Sequence, residues 1–172
     1  MSGHVARRWG WHRIRPGWAR RVVDAAAPRP GQLVLDLGSG TGALTAPLAE
    51  RGVRVVAVEL HPGRAERLER ELGGMHTVTV VRGDVLRVPL PRRPFRVVAN
   101  PPYAVSAELV RRLTGRGSRL VRADLVLPRW QVNRFVADPP RGFVARMGLH
   151  VPATAFQPPP RRDSAVLVLS RR

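Results

Sequence analysis

The chain has 172 residues and no cysteine, and its 30 basic residues face only 12 acidic ones, which gives a formal net charge of +18. A chain of this length can bury the core of one domain, and the lack of cysteine excludes disulfides and thiolate zinc sites. No uncharged apolar run reaches the roughly 18 residues that a membrane span requires, and the basic start has no apolar signal-peptide core. We therefore expect one cytoplasmic domain over residues 1–172, with no membrane span and no metal.

The basic residues are all arginine, and they are concentrated towards the two ends of the chain. Residues 1–23 contain six arginines and no acid, and residues 109–172 contain thirteen arginines against three acids. Arginine makes bidentate contacts with phosphate and stacks on bases, so this distribution favours a nucleic-acid partner. An acidic protein or membrane surface is the alternative. Residues 1–16 are expected to form a basic N-terminal segment of the domain.

Apolar runs that alternate with amphipathic stretches predict the secondary structure in chain order. A helix over about 17–27 precedes a strand in LVLDLG, and a helix over about 42–51 precedes a strand in RVVAVEL. The next helix begins at Pro62 and ends before Gly73. Then follow strands in TVTVV and FRVVAN, a helix near 104–114, a strand in RADLVL, a helix near 128–136, and strands in FVARMGLHV and SAVLVL.

This alternation predicts an α/β fold with a mostly parallel, seven-stranded sheet that helices cover on both faces. No helix separates the last two strands, so an antiparallel hairpin is expected to close one edge of the sheet. Open α/β sheets bind ligands at the carboxyl ends of their strands. The residues that end each predicted strand are therefore the candidates for a functional site.

The loop after the first long strand, DLGSGTGAL, combines an acid with three glycines. Gly38, Gly40 and Gly42, with Ser39 between them, let the backbone approach a ligand and place amides beside a helix N-terminus. This spacing also satisfies the dinucleotide-binding fingerprint, so the glycines alone are ambiguous. Asp36 would repel a pyrophosphate and favours a cation, such as the ammonium end of S-adenosylmethionine (SAM). A purely structural turn is the alternative.

Two further acids end the next two predicted strands. Glu59, followed by Leu60, lies 23 residues after Asp36, close to the spacing of a ribose-binding acid in such folds. Asp84 ends the third strand, where its carboxylate can accept the adenine amine while Val85 supplies a backbone amide. The three acids thus suit three parts of SAM, although Glu59 taken alone also suits a helix cap.

The fourth strand ends in NPPY, which offers the acceptors that an aromatic amine needs. Such an amine is a poor nucleophile because its lone pair is delocalised into the ring. Asn100 Oδ1 and the Pro101 carbonyl can accept its two protons, and Pro101 and Pro102 make the turn rigid. Tyr103 offers a flat face for a flipped base. Positioning and electrostatics then carry catalysis without a general base, whereas the alternative is a structural turn with a packed tyrosine.

With DLGSGTG, Glu59, GD and NPPY in this order, the chain resembles the class I amino-methyltransferases that act on adenine, cytosine or glutamine amides. FQPPPRRDSAVLVLSRR and DLVLPRWQVNRF are similar to segments of the rRNA adenine-N6 methyltransferases. That family comprises the erythromycin-resistance (Erm) enzymes acting on 23S rRNA and the small-subunit adenine dimethyltransferases. The resemblance implies a Rossmann-like, SAM-dependent methyltransferase fold and an rRNA substrate.

The resemblance also implies roles for individual residues. The methionyl part of SAM would lie at Asp36, Gly38 and Gly40, the ribose at Glu59, the adenine at Asp84 and the target amine at residues 100–103. Phe156 would lie near the target base, or else be a core aromatic before the last strand. The residues expected to bind the cofactor are Asp36, Gly38, Ser39, Gly40, Gly42, Glu59, Leu60, Asp84, Val85 and Asn100.

Three features depart from the family pattern. Pro101 replaces the usual isoleucine or leucine and is closer to DNA and protein-glutamine methyltransferases. WGWHRI replaces the N-terminal family motif, and His12 in it is expected to be structural or solvated rather than catalytic. The sequence ends after the last predicted strand, so we expect no separate helical RNA-binding domain, as in short Erm members of actinobacteria. We expect arginines near both ends to replace that domain in contacting RNA, namely Arg7, Arg8, Arg161 and Arg162.

These observations lead to one predicted function and several alternatives. We predict a monomeric enzyme that uses SAM to methylate N6 of an adenine in the peptidyl transferase region of 23S rRNA, before the subunit is complete. The products would be S-adenosylhomocysteine and an rRNA that resists macrolide, lincosamide and streptogramin B binding. The alternatives are a 16S rRNA dimethyltransferase, a DNA-adenine or protein-glutamine methyltransferase, and a catalytically silent RNA-binding assembly factor.

Overall fold

The computed structural model describes residues 12–172. Its strands are β1 (Arg13–Ile14), β2 (Leu33–Leu37), β3 (Arg54–Glu59), β4 (Val78–Arg82), β5 (Phe95–Ala99), β6 (Leu120–Pro128), β7 (Phe143–Val151), β8 (Phe156–Gln157) and β9 (Ser164–Arg171). Its α-helices are α1 (Pro16–Ala26), α2 (Thr45–Glu50), α3 (Pro62–Leu72), α4 (Ser106–Thr114) and α5 (Arg129–Ala137). Short 3-10 helices cover Tyr103–Val105 and Ala153–Ala155.

Seven strands form one sheet in the order β4-β3-β2-β5-β6-β9-β7. The first five strands in this order are mutually parallel, and β9 is antiparallel to both of its neighbours. The prediction of a mostly parallel sheet with an antiparallel pair at one edge is confirmed. The last strand does not lie at the edge, however, because β9 inserts between β6 and β7.

Two apolar clusters cover the two faces of the sheet. On one face, side chains of α1, α2 and α3, such as Val22, Leu48 and Leu68, pack against alternate residues of the strands. On the other face, α4 and α5 contribute residues such as Leu109 and Val132. Strands buried on both sides are mostly apolar, and all five residues of β5 are buried, with Arg96 as the one charged residue among them. The predicted helical layers are confirmed.

The predicted helix over 42–51 is shorter than expected and covers only Thr45–Glu50. Gly40 and Gly42 have φ values of +58° and +90°, which a right-handed helix does not tolerate. A Cβ at Gly42 would lie 2.8 Å from the side chains of Leu68 and Leu72, so glycine is also required by the close approach of α3. The glycine loop therefore extends by several residues before the helix begins.

A second, two-stranded sheet was not predicted. It pairs β1 with β8 in antiparallel register, with Ile14 opposite Phe156 and Arg13 opposite Gln157. Each strand has only two residues, which leaves no alternating pattern to recognise. This sheet ties the start of the described chain to the segment that precedes β9.

The middle of the sheet also contains a buried ionic cluster below α1. Asp124 accepts from Arg122 Nη2 at 2.7 Å and from Arg96 Nη2 at 3.4 Å. Arg96 donates to the carbonyl oxygens of Ala26 (2.5 Å) and Ala27 (3.3 Å), where α1 ends. The cluster therefore joins β5 and β6 to the last carbonyls of a helix, which otherwise lack partners.

Two kinds of feature are absent from residues 12–172. None of the helices there has the length and the apolar character to cross a bilayer. In the same part of the chain, no three His, Cys, Asp or Glu side chains cluster as metal ligands.

Candidate active site

A cavity of about 420 Å³ opens at the carboxyl edge of the parallel strands. Its walls come from the segments that follow β2, β3, β4 and β5, together with His12. This volume lies in the range of pockets that enclose a drug-sized ligand. The strand-end residues that the sequence singles out thus meet around one space, as parallel strands require.

The glycine loop forms one wall of this cavity and contacts the NPPY turn. Gly38 has a φ of +82°, and its amide donates to the Val58 carbonyl oxygen at 2.9 Å. A Cβ at Gly38 would lie 3.0 Å from Pro102 Cδ and 3.5 Å from Pro101 Cα. Glycine is therefore needed both for the turn and for the close approach of the two loops.

Glu59 lies at the end of β3 with only 4% of its surface exposed. Its Oε2 accepts from the Gly40 amide at 2.8 Å, and its Oε1 accepts from the His61 amide at 2.8 Å. Arg64 Nη1 lies 3.9 Å from Oε1. These contacts fix the carboxylate at the cavity wall, while each oxygen keeps a lone pair for a hydroxyl donor.

The far wall of the cavity is mostly apolar with one carboxylate. Asp84 Oδ1 accepts from the Leu86 amide at 2.9 Å, which holds the short turn after β4. Val85 is buried, whereas Leu60 exposes 45% of its surface although it lines the cavity. Two apolar side chains beside a polar acceptor form the environment that a purine ring requires.

Asp36, which the sequence predicts to hold the methionyl end of SAM, does not line this cavity. Its side chain is buried below the glycine loop, and Oδ2 accepts from Thr45 Oγ1 at 2.7 Å. Burial is the main cause that raises the pKa of Asp36 to about 7; the Thr45 hydroxyl opposes this shift and the negative charge of Glu59 contributes to it. Among the described residues, the hydrogen bonds and charges that act on the Asp36 carboxyl group therefore include no cationic side chain.

Asp36 lines a second, much smaller chamber of about 20 Å³, which has room for one water-sized group. Arg13, Thr41 and Asn100 also line it. Among the described residues, Arg13 Nε, Thr41 Oγ1 and Asn100 Oδ1 are buried without any hydrogen-bond partner. Buried polar groups normally have partners, so these atoms indicate that a polar ligand group completes the chamber.

The lining of the chamber matches the amino-acid end of SAM in its chemistry, whereas its volume accommodates one water-sized group of that end. Arg13 and Thr41 can donate to a carboxylate, and Asp36 and Asn100 Oδ1 can accept from an ammonium group. The larger cavity has a carboxylate for ribose hydroxyls and apolar walls for adenine. Asn100 lines both spaces and therefore lies where they meet.

Asn100 is oriented by the segment before β1. Its Nδ2 donates to the His12 carbonyl oxygen at 2.9 Å, so Oδ1 is the atom left without a partner. Because a carbonyl oxygen can only accept, this contact determines which end of the amide is which. The atom that the sequence predicts as acceptor for the target amine is therefore the one that has no hydrogen-bond partner among the described residues.

Tyr103 is held on three sides at the entrance of the cavity. Its ring stacks on the His12 ring with centroids 5.7 Å apart and planes 26° apart. Its hydroxyl lies 2.9 Å from Ser164 Oγ, and its carbonyl oxygen accepts from Ser106 Oγ at 2.8 Å. Burial raises the pKa of the Tyr103 hydroxyl, so it stays protonated. His12 supports Asn100 and Tyr103, in line with its predicted structural role.

The other residues predicted to contact substrate lie in different environments. Phe156 is fully buried in the core opposite Ile14, so it is a core aromatic and has no surface with which to meet a base. Arg161 and Arg162 are exposed in the loop before β9, near Ser164 and hence on the cavity side of the sheet. Arg7 and Arg8 lie outside the described residues.

Sequence analysis missed Arg13, Thr41, Arg64 and Ser164 as candidates. Thr41 lies inside the GSGTG loop, so its position between two glycines was a usable signal. Arg13 and Arg64 reach the site through long-range packing, and nothing in their local sequence marks them. Ser164 is buried and lies in the family-like segment before the last strand, but that segment does not show that it contacts Tyr103.

The parallel sheet, the glycine loop and the cavity at the strand ends define the fold of the class I SAM-dependent methyltransferases. Within that class, the chain belongs to the family described as ribosomal RNA adenine dimethylase, which it matches over residues 15–172. The resemblance inferred from the motifs is thus confirmed at the level of the family.

Relatives with both kinds of rRNA in their names are similar to this chain. Ribosomal RNA small subunit methyltransferase A of Verminephrobacter eiseniae is 36% identical over 171 residues, which cover 85% of this chain and 59% of that protein. The protein of the same name from Gloeobacter violaceus is 36% identical over 98% of this chain and 68% of its own length. The crystal structure of the 23S rRNA methyltransferase ErmE superposes with a TM-score of 0.84 at 28% identity, covering 93% of this chain and 70% of that one.

The chain therefore spans roughly three fifths to two thirds of the length of these curated relatives. Family membership and fold hold for the whole described chain. The relatives are longer than this chain, so an activity for the chain has to be argued from the geometry of its own site.

Proposed function

We propose that this chain transfers a methyl group from SAM to N6 of an adenine in ribosomal RNA. One observation carries the proposal: Asn100 lines both spaces of the site, and its Oδ1 is buried without a hydrogen-bond partner among the described residues. A structural turn would not need such an atom, because an unsatisfied buried acceptor costs free energy. A site that binds an aromatic amine as nucleophile does need an unpartnered acceptor, because the acceptor takes a hydrogen bond from the amine.

The residues that would hold SAM follow from the two spaces. Glu59 would accept from the ribose hydroxyls, and Asp84 with Val85 and Leu60 would enclose the adenine. Asp36 would receive the ammonium group, and Arg13 with Thr41 would receive the carboxylate. When bound, SAM supplies a methyl group on a sulfonium, which is an electrophile that needs no further activation.

The chain's own groups then prepare the nucleophile. Asn100 Oδ1 and the Pro101 carbonyl accept the two amine protons of the target base, which favours a pyramidal nitrogen with a localised lone pair. Tyr103, braced by His12 on one side, supports the base at the entrance. The methyl group would pass to the nitrogen as its bond to the sulfonium breaks, S-adenosylhomocysteine would be the leaving group, and one amine proton would go to water. Fixed acceptors of this kind act by positioning and electrostatics, with no general base.

Two candidates exist for the particular rRNA, and different observations favour them. The similarity to ErmE supports the predicted 23S substrate and, with it, resistance to macrolides, lincosamides and streptogramin B. The small-subunit methyltransferases among the relatives favour 16S rRNA as the second candidate. Pro101 favours DNA or protein glutamine instead, but the family match outweighs this single residue.

The test measures methyl transfer from labelled SAM to deproteinised 23S and 16S rRNA in parallel, and the modified base is mapped by reverse-transcription stops. Label at an adenine of either rRNA that disappears in the Asn100→Ala variant supports the proposal and selects the substrate. Label in DNA or protein but in neither rRNA would contradict it. SAM binding without transfer to any acceptor would indicate a silent assembly factor.

We further propose that arginines at the cavity side contact the phosphates of the substrate, with the described residues acting as one domain and as a monomer. Arg161 and Arg162 are exposed beside the segment that carries Ser164. Reversing both charges is expected to weaken rRNA affinity and to flatten its dependence on salt. Equal affinity of Arg161→Glu/Arg162→Glu and wild type in a filter-binding titration would refute the contact.

A further inference from the structure

A third cavity, of about 250 Å³, lies on the surface between α4 and α5. Its lining includes Arg111, Trp130, Gln131, Arg134 and Phe135. Trp130 exposes 55% of its surface, although tryptophan is buried for the most part in folded chains. Arg111 and Arg134 are exposed as well. More than half of a large aromatic surface therefore faces solvent beside two exposed cations.

This cavity is connected to the catalytic turn by a short chain of contacts. Ser106 Oγ lies 2.8 Å from the Tyr103 carbonyl oxygen and 2.6 Å from Gln131 Oε1. Gln131 is almost fully buried and lines the cavity, and α4 begins directly after the 3-10 turn that contains Tyr103. The Trp130 cavity is therefore separated from the NPPY turn by two side chains.

The lining has the chemistry that recognises a nucleotide. An aromatic plane offers a stacking surface for any base, and guanidinium groups pair with a phosphate in a bidentate manner. One carboxylate, Asp138, borders the cavity beside the two arginines, which leaves a positive balance. The volume is well below that of the SAM cavity, so it suits one base rather than a larger ligand.

We propose that the Trp130 cavity binds an unpaired nucleotide of the substrate RNA, next to the adenosine that enters the active site. The inference rests on the proposed function, because a target base that leaves its stack requires neighbouring nucleotides that are unstacked too. Single-stranded RNA is read by such aromatic and guanidinium surfaces, whereas an acidic peptide would need the charges but not the exposed indole. The cavity would hold the strand while the target amine stays at Asn100.

The test compares the full chain with the variants Trp130→Ala, Trp130→Phe and Arg134→Ala. The probe is a fluorescently labelled, unpaired RNA hexamer, and affinity is measured by anisotropy. Loss of one stacked base is expected to weaken affinity about tenfold for Trp130→Ala, whereas Trp130→Phe keeps a stacking face and loses much less. Arg54→Ala, which removes an exposed charge at the opposite edge of the sheet, is the matched control.

Further readouts separate this inference from the proposed function. With rRNA as substrate, Trp130→Ala is expected to raise KM for RNA while SAM affinity by calorimetry and thermal stability stay at wild-type values. If Trp130→Ala binds RNA as well as wild type does while both methylate rRNA, the cavity has no such role. If the variant loses affinity for polyglutamate but not for RNA, a protein partner replaces the nucleotide and the inference fails. RNA affinity that depends on Trp130 in a chain that methylates nothing would leave this inference standing and remove the proposed function.

Discussion

Buried carboxylates occur in two regions of the sheet, and their surroundings differ. Asp124, between β5 and α1, is neutralised by two guanidinium groups, at 2.7 Å from Arg122 and 3.4 Å from Arg96. Asp36, at the carboxyl edge, has a hydroxyl at 2.7 Å instead, and the negative charge of Glu59 acts on it. Both side chains are about 1% exposed, so burial alone does not distinguish them.

The difference lies in how complete each cluster is. Around Asp124, two guanidinium groups pair with the carboxylate, and Arg96 Nε is the one described atom of the cluster that is buried without a hydrogen-bond partner. The carboxylate itself is therefore satisfied within the chain, and the cluster serves stability. Around Asp36, the raised pKa and the unpartnered atoms of Arg13, Thr41 and Asn100 leave both charge and hydrogen bonding incomplete. An incomplete polar cluster that persists in a well-packed fold indicates where a ligand binds.

The largest expected effect on stability comes from Asp124→Ala. Removing the carboxylate leaves the Arg96 guanidinium buried without its counter-charge, which is expected to lower the free energy of unfolding by about 3 to 5 kcal/mol. Guanidinium chloride titration measures this loss. SAM affinity of the folded variant should remain within twofold of wild type.

The matched control is Glu50→Ala, which breaks the exposed Arg20–Glu50 pair on the surface. Surface ion pairs contribute little to stability, so this variant is expected to unfold at the same guanidinium chloride concentration as wild type. Equal losses in Asp124→Ala and Glu50→Ala would show that the buried cluster is not a stabilising element, and the comparison would fail.

At the carboxyl edge, Asn100→Ala is expected to affect catalysis rather than folding. Loss of a fixed electrostatic contact in a transition state lowers kcat by about 100- to 1,000-fold, or roughly 3 to 4 kcal/mol. Methyl transfer under saturating SAM and rRNA measures the effect. Asn133→Ala, at an exposed asparagine of α5, is the control, and a similar kcat for both variants would remove Asn100 from the mechanism.

The Asp36→Asn variant tests the incomplete cluster through the pH dependence of the free energy of unfolding. The pKa of Asp36 is about 7 in the fold against an ordinary 3.8, so the folded chain holds its proton more tightly than the unfolded chain. Stability therefore falls as the pH rises from about 4 to about 7, at a total cost of about 4 kcal/mol. Asparagine avoids this cost but buries an amide, so a net gain of about 2 kcal/mol is expected at pH 8.

The gain should shrink steadily as the pH falls towards 4, which unfolding titrations at pH 8, 6 and 4 test directly. Asp138→Asn, at an exposed carboxylate, is the control and should show no such trend. A second readout is calorimetric: SAM binding near pH 6.5 is expected to release a proton from Asp36 in wild type and none in Asp36→Asn. A gain that is constant with pH would show that Asp36 is ionised normally.

The smallest expected effect comes from Tyr103→Phe. This variant loses the hydrogen bond to Ser164 Oγ but keeps the ring that stacks on His12, so a stability loss of about 1 kcal/mol is expected. Tyr103→Ala removes the ring as well and should weaken rRNA affinity in addition. If Phe and Ala reduce rRNA affinity equally, the hydroxyl rather than the ring contacts the substrate.

Much of the site was predictable because parallel strands bring their carboxyl ends together. Glu59, Asp84 and Asn100 could be placed at one edge from strand boundaries alone, and the structure puts all three on the wall of one cavity. The position of Asp36 was less predictable. Because β2 is buried on both faces, its sequence does not show which way each side chain points.

The positions of three other side chains could not be predicted from the sequence for a different reason, namely those of His12, Arg13 and Phe156. They depend on a two-residue strand pair that joins positions more than a hundred residues apart, and no local pattern records such a pairing. The same pairing turns Phe156 into the core opposite Ile14, which is why a motif-based role near the base was wrong. Non-local packing, rather than residue type, decides these cases.

The position of β9 has a consequence for how the chain is made. This strand is synthesised after β7, yet it lies between β6 and β7 and is the sheet partner of both. While the ribosome is still adding it, β6 has an open edge and β7 has no strand to pair with, and such edges promote aggregation in nascent chains. Ser164, the partner of Tyr103, also arrives only then, so the site cannot be completed before the last strand has been inserted.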